Sequence, residues 1–162
     1  MRKLKIDDHT RFLLREAFKE DKDYELHPKL WYLDLSTGGV TFVCERDEDA
    51  RLHLGLPPEE NREKRLLVES DPDRFVLIPG LSHGDHHAIL LDFLSSDWTD
   101  GEESRTRAKH AYSGSISRWK KTVRQHYDEE TEYAYYDYRD DRTDEMIDEF
   151  LRQNGIEPEY VD

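Results

Sequence analysis

Leu30-Trp31-Tyr32-Leu33-Asp34-Leu35-Ser36-Thr37-Gly38-Gly39-Val40-Thr41-Phe42-Val43-Cys44 reads as a β-hairpin. Trp31, Leu33 and Leu35 alternate along one face of the first strand. Ser36 to Gly39 supplies the turn, because glycine admits the positive φ angles that a tight reversal needs. Val40 to Cys44 returns as the second strand. Leu66-Leu67-Val68 and Phe75-Val76-Leu77-Ile78 are further strand candidates around the turn Ser70-Asp71-Pro72-Asp73, and Pro79-Gly80 stops the latter.

Outside this stretch the pattern is mostly helical. Residues 7–20 form an amphipathic helix capped by Asp7 or Asp8, with Phe12, Leu13, Ala17 and Phe18 on its apolar side. His27-Pro28 ends that region. Residues 45–65 read as a polar excursion, broken by Gly55 and Pro57-Pro58, with a short helix from Pro58 to Arg65. Asp85 caps a helix reaching Asp97, in which Ile89 lies over Phe93 and Leu90 over Leu94. A short helix from Glu102 to Tyr112 is broken at Ser113-Gly114-Ser115. The next carries Ile116, Trp119, Val123 and Tyr127 on one face. The last ends at Asn154, with Gly155 as its C-cap and Ile156 folding back on the final turn. The expectation is an α+β fold in a single domain, 1–162. Its sheet-containing part, 1–80, holds the hairpin 30–44 and a strand near 74–78, in a small, mainly antiparallel sheet. A helical C-terminal half, 83–156, packs on it.

Charge is unevenly placed along the chain. The 162 residues hold 24 Lys+Arg and 38 Asp+Glu, for a net charge of -14. Residues 128–162 carry 14 acids and 3 bases, whereas residues 105–124 carry seven Lys/Arg and no acid. Either two helices neutralise each other, or a charged surface waits for a partner. The overall negative charge opposes general affinity for nucleic acid, which needs cations to displace counterions. One cysteine, Cys44, excludes an internal disulfide framework and suits a reducing cytosol. No apolar run approaches membrane-spanning length, and no signal peptide opens the chain.

Several stretches together resemble a bacterial family known as uncharacterised protein family 0158. Tyr32-Leu33-Asp34-Leu35-Ser36-Thr37-Gly38-Gly39-Val40 is similar to its hairpin signature, Tyr-Leu-Asp-Leu-Glu-Thr-Gly-Glu-Val. Ile78-Pro79, Gly114-Ser115-Ile116-Ser117-Arg118-Trp119-Lys120, Tyr138-Arg139-Asp140 and Leu151-Arg152-Gln153-Asn154-Gly155-Ile156 follow in the family's order. The chain departs from the pattern at Gly39, where the family has an acid, and near Tyr112, where it has a glycine. The resemblance implies an architecture and carries no established activity.

Three groups of residues bear chemistry. His83-Gly84-Asp85-His86-His87 has the composition of a metal site, since imidazole and carboxylate suit zinc and other first-row metals. Its adjacent histidines diverge by about 100° on a helix, and no second motif such as His-x-x-x-His follows. The plainer reading makes Asp85 a cap and leaves the histidines in solvent. Ser113, Gly114 and Ser115, with Arg118, Lys120, Lys121 and Arg124, can hold an anion or contact nucleic acid. Trp119 is expected in the core. The acidic tail, with Tyr135, Tyr138, Asp140, Asp141, Asp144 and Glu145, presents carboxylates and tyrosines suited to a protein interface. Asp34, with Asp47, Glu48 and Asp49, has the composition of a carboxylate metal site or acid–base pair. Asp34 alternates with Leu33 and Leu35, so the plainer reading is a solvated strand residue, and Cys44 reads as a buried strand residue.

No nucleophile elbow, Walker loop or dinucleotide fingerprint occurs. The expected function is therefore non-enzymatic: a cytoplasmic acidic binding protein that engages a basic surface of another protein, with no cofactor. An inhibitor, antitoxin-like protein or complex subunit fits that description. A metal-dependent hydrolase using His83 to His87 is the alternative, and a weak nucleic-acid binder using residues 105–124 is a third.

Overall fold

A computed structural model describes residues 1–20, 29–126 and 128–162. His27-Pro28 and Tyr127 lie outside the described residues. The fold is α+β, and the chain divides into two compact units, one of residues 1–82 and 146–162, the other of residues 83–145.

The first unit opens with β1 (Arg2–Ile6) and α1 (Asp8–Lys19). Asp7 caps α1 by accepting a hydrogen bond from the Thr10 backbone N–H at 2.7 Å. β2 (Lys29–Asp34) and β3 (Val40–Cys44) form the expected hairpin, with Trp31 opposite Phe42 and Leu33 opposite Val40. Gly38 makes the turn at φ 76°, and its N–H donates to the Asp34 carbonyl. Next come the short α2 (Ala50–Leu54), α3 (Pro58–Ser70) and β4 (Phe75–Leu77). β4 pairs antiparallel with the other edge of β2, giving the order β3-β2-β4.

Leu66-Leu67-Val68 is not a strand. It is the end of α3, which runs past Arg65 to Ser70. The triplet looks β-like only in isolation. On a helix, Asn61, Arg65 and Val68 share one face. Val68 is buried against Val43 and Phe75, while Leu66 and Leu67 stand 49% and 51% exposed. Asn61 is fully buried at the end of β3. It accepts from the Cys44 N–H at 2.9 Å and donates to the Cys44 carbonyl at 3.1 Å, as a neighbouring strand would. Cys44 is buried, as expected.

The second unit contains α4 (His83–Leu94), α5 (Glu102–His110), α6 (Ile116–Gln125) and α7 (Glu129–Gln153) as far as Glu145. Asp85 lies inside the first turn of α4 and is not its cap. Phe93 sits among aromatic rings: Trp98 stacks on it at 5.1 Å, and Trp119, Tyr135 and Tyr138 meet it edge-on at 6.2, 5.6 and 5.6 Å. The Trp119 indole N–H donates to the Ala108 carbonyl at 2.9 Å, so the ring is buried without losing its hydrogen bond.

From Met146 onward α7 belongs to the first unit. Phe150 meets Phe18 edge-on at 5.8 Å. Gly155 ends the helix at φ 71°, as expected. Ile156 follows at once, its side chain buried. It begins β5 (Ile156–Tyr160), which runs parallel to β1 with Leu4 opposite Pro158. No helix among the described residues is long and apolar enough to cross a membrane.

Candidate functional site

Two helices determine what the charged half of the chain can do. In α7, Thr131, Tyr135, Thr143 and Ile147 are buried, at four-residue steps or multiples of them. Tyr135 is 1% exposed, and burial pushes its phenol above the ordinary tyrosine range. Tyr135 is therefore core and is unavailable to a partner. Counting back in fours from the apolar Ile147 would have placed it on the inner face. Tyr138 is half-buried against Phe93, and Asp140 and Asp144 are also half-buried. Asp140 lies 3.8 Å from Arg139.

The opposite face holds Tyr133, Asp137, Asp141 and Glu145, one per turn and all exposed. Tyr133 is 65% exposed. Each step of four residues advances roughly 6 Å along a helix. Glu145 pairs with Arg142 at 3.0 Å, while Asp137 and Asp141 have no ion pair among the described residues. Of the six residues expected to meet a partner, only Asp141 and Glu145 are fully exposed.

Two cations of the basic block, Lys120 and Arg124, are engaged by this same helix. Arg124 donates to Glu132 at 2.7 Å and to the Tyr136 hydroxyl at 3.1 Å. The Arg124 bond, with a second donated by the Tyr136 hydroxyl at 2.8 Å, holds the Glu132 carboxyl below the usual carboxylate range. Lys120 lies over the rings of Tyr135 and Tyr136 at 5.8 and 5.4 Å. Its ammonium is pushed below the ordinary lysine range, first by desolvation and then by Arg139 and Arg124. Arg118 and Lys121 remain exposed. At the start of α6 the backbone is already served, because the Ser115 hydroxyl accepts from the Arg118 N–H at 3.3 Å. Ser113 and Gly114 are exposed beside it, Gly114 at φ 94°. Seven residues expected to gather around an anion thus present three exposed cations, of which Arg124 is already paired with Glu132, and a cap occupied by the protein's own hydroxyl.

The histidine cluster is rearranged relative to expectation. His86 is buried rather than solvated, and Asp85 is exposed. His83 and His87 form the significant pair. They are themselves His-x-x-x-His, a spacing obscured when only the adjacent residues His86 and His87 are compared. Their Nε2 atoms lie 2.9 Å apart, and the Tyr112 hydroxyl lies 2.6 Å from His87 Nδ1. No group of three or more His, Cys, Asp or Glu side chains that could hold a metal occurs among the described residues.

Two other features lie outside the three expected groups of residues. A cleft of about 780 Å³ lies between α5 and α6, floored by Ala108, Ala111 and Val123 and rimmed by Arg107, His110 and His126. Glu102, Glu103 and Asp128 share its rim, so it has no single sign of charge. Asp34, expected in solvent, is only 9% exposed and bound by Arg74. Asp47 likewise serves the fold, accepting from Asn61 and Arg65 at 2.8 and 3.2 Å.

The sequence profile of an uncharacterised protein family, UPF0158, matches residues 2–162. The chain belongs to this family. A search of curated proteins and a search of solved structures each returned no match. In this UPF0158 chain the family stretch Gly114 to Lys120 supplies the α6 cap and the core residue Trp119, and the Asp34 of its hairpin signature anchors Arg74.

Proposed function

We propose that this protein is a non-enzymatic, cytoplasmic binding protein whose α7 face engages a basic surface of another protein. The observation that carries this reading is the exposed row of Tyr133, Asp137, Asp141 and Glu145 on a helix whose other side is fixed in the core. A rigid helix holds its carboxylates in one line without further ordering cost, and a net charge of -14 steers a basic partner toward it. Tyr133 adds amphipathic area at low entropic cost. The hydrolase alternative is less favoured, because a catalytic metal centre commonly uses three protein ligands. The nucleic-acid alternative is less favoured because Lys120 and Arg124 are engaged within the protein.

The test is affinity capture from the native cytosol, rebuilt with the purified partner. The triple variant Asp137→Lys, Asp141→Lys, Glu145→Lys is expected to lose at least ten-fold in affinity while keeping the wild-type circular dichroism spectrum. Association of the wild type should slow steeply as salt rises. Undiminished capture by the triple variant would end the reading.

A further inference from the structure

We propose that His83 and His87 form a binding site for one divalent first-row transition metal ion, of which Zn²⁺ is the representative case. The two residues are one turn apart on α4, so their side chains leave the same face. Both Nε2 atoms converge, 2.9 Å apart, with the rings nearly perpendicular at 81°. Zinc sits about 2.0–2.1 Å from imidazole nitrogen, so a tetrahedral ion holds two such nitrogens roughly 3.3 Å apart. A bound ion replaces the present Nε2···Nε2 hydrogen bond, with the two nitrogens separating by roughly 0.4 Å.

Tyr112 makes this pair more than two neighbouring imidazoles. Its hydroxyl lies 2.6 Å from His87 Nδ1. When Nδ1–H donates to that oxygen, the Nε2 lone pair is left facing His83. A metal-bound histidine ordinarily has such an outer partner on its second nitrogen, which fixes both tautomer and ring orientation. All three side chains are half-buried, which limits their motion yet leaves a route for an ion.

The charges near the site oppose each other. A helix N-terminus disfavours a cation. Asp85, in the same first turn, supplies the opposite charge. With no third His, Cys, Asp or Glu converging among the described residues, water completes the coordination. Imidazole donors select zinc, copper, nickel and cobalt over magnesium and calcium.

Calorimetric titration of the whole protein with Zn²⁺ alone tests the site. One ion per chain is expected. His83→Ala and His87→Ala should each lower its affinity at least ten-fold, and Tyr112→Phe about ten-fold. His110→Ala and His126→Ala, on α5 and just after α6, should leave it unchanged. Binding equal in the wild type and in the double variant His83→Ala, His87→Ala would overturn the proposal. If the double variant fails to fold, nuclear magnetic resonance of the wild-type histidine rings decides. The His83 and His87 signals must shift first as Zn²⁺ is added, and a first shift at any other histidine refutes the site.

Discussion

Arg74 closes on Asp34 across the β2–β4 pairing, with Nε and Nη2 each 3.0 Å from a different carboxylate oxygen. The fork-to-fork geometry fixes direction as well as charge. The Ser36 N–H and hydroxyl also donate to Asp34 Oδ1, at 2.9 and 2.8 Å. One carboxylate therefore ties the hairpin turn to the residue that leads into β4. Asp34→Ala should destabilise the protein by about 2 kcal/mol, read from chemical denaturation. Asp34→Asn should recover part of that loss through the Ser36 bonds.

Acid should weaken the fold through the same group. Arg74 first, and then Ser36, hold the Asp34 carboxyl well below the usual carboxylate range. The unfolded chain binds that proton at a higher pH, so stability rises with pH across the interval between the two values. The contribution is complete above about pH 4, the ordinary aspartate value, and is lost as pH falls toward the folded one. Asp47 and Glu132 are depressed in the same direction. Denaturation midpoints measured from pH 6 to pH 2 should fall steeply at the acid end, and Asp34→Asn should flatten that slope.

Gly38 and Gly55 both adopt left-handed φ, at 76° and 65°, yet they should respond differently to alanine. A Cβ on Gly38 would lie 2.3 Å from the Lys5 backbone carbonyl oxygen, whereas at Gly55 it meets nothing within 4 Å. Gly55→Ala should cost only the conformational penalty, about 1 kcal/mol. Gly38→Ala must also push β1 away from the hairpin and should lower the melting temperature considerably more.

Asn61 is a polar residue that behaves as part of the sheet. Replacing it with leucine leaves the Cys44 N–H and carbonyl at the β3 edge without their partner. Asn61→Leu should cost about 2–3 kcal/mol, despite its similar branching and greater hydrophobicity. Denaturant titration checks the value.

Two tyrosines two residues apart on α7 should separate folding from binding. Tyr135→Ala opens a cavity beside Phe93 and Trp119 and should destabilise by about 3–5 kcal/mol. Tyr133→Ala removes an exposed ring and should leave thermal stability within about 0.5 kcal/mol of wild type. It should nevertheless weaken partner capture.

The legible parts of the site were those with local causes. Trp119 could be assigned to the core because Ile116 and Val123 share its helical face. The cap at Ser115 and the glycine at 155 also follow from short-range backbone needs. Tyr135 reads as an interface residue from sequence because a run of tyrosines and acids looks uniform until the phase of the helix is fixed by Ile147. The His83–His87 pair was present in the spacing, but its convergence depends on Tyr112, 25 residues away.

The sequence by itself determined the hairpin, most of the helices, the α+β class and the opposition of a basic block to an acidic tail. Each arises from periodicity, turn chemistry or charge within about a dozen residues. Only the tertiary structure decided that Leu66 to Val68 is helical, that β1 pairs with β5, and which carboxylates remain in water. Those outcomes depend on groups far apart in the chain. A parallel partner for Leu4 lies at Pro158, and Asp34 is withdrawn from water by Arg74, 40 residues away. Local preference cannot encode such distances, since the free energy that selects them comes from burial and pairing in the folded state.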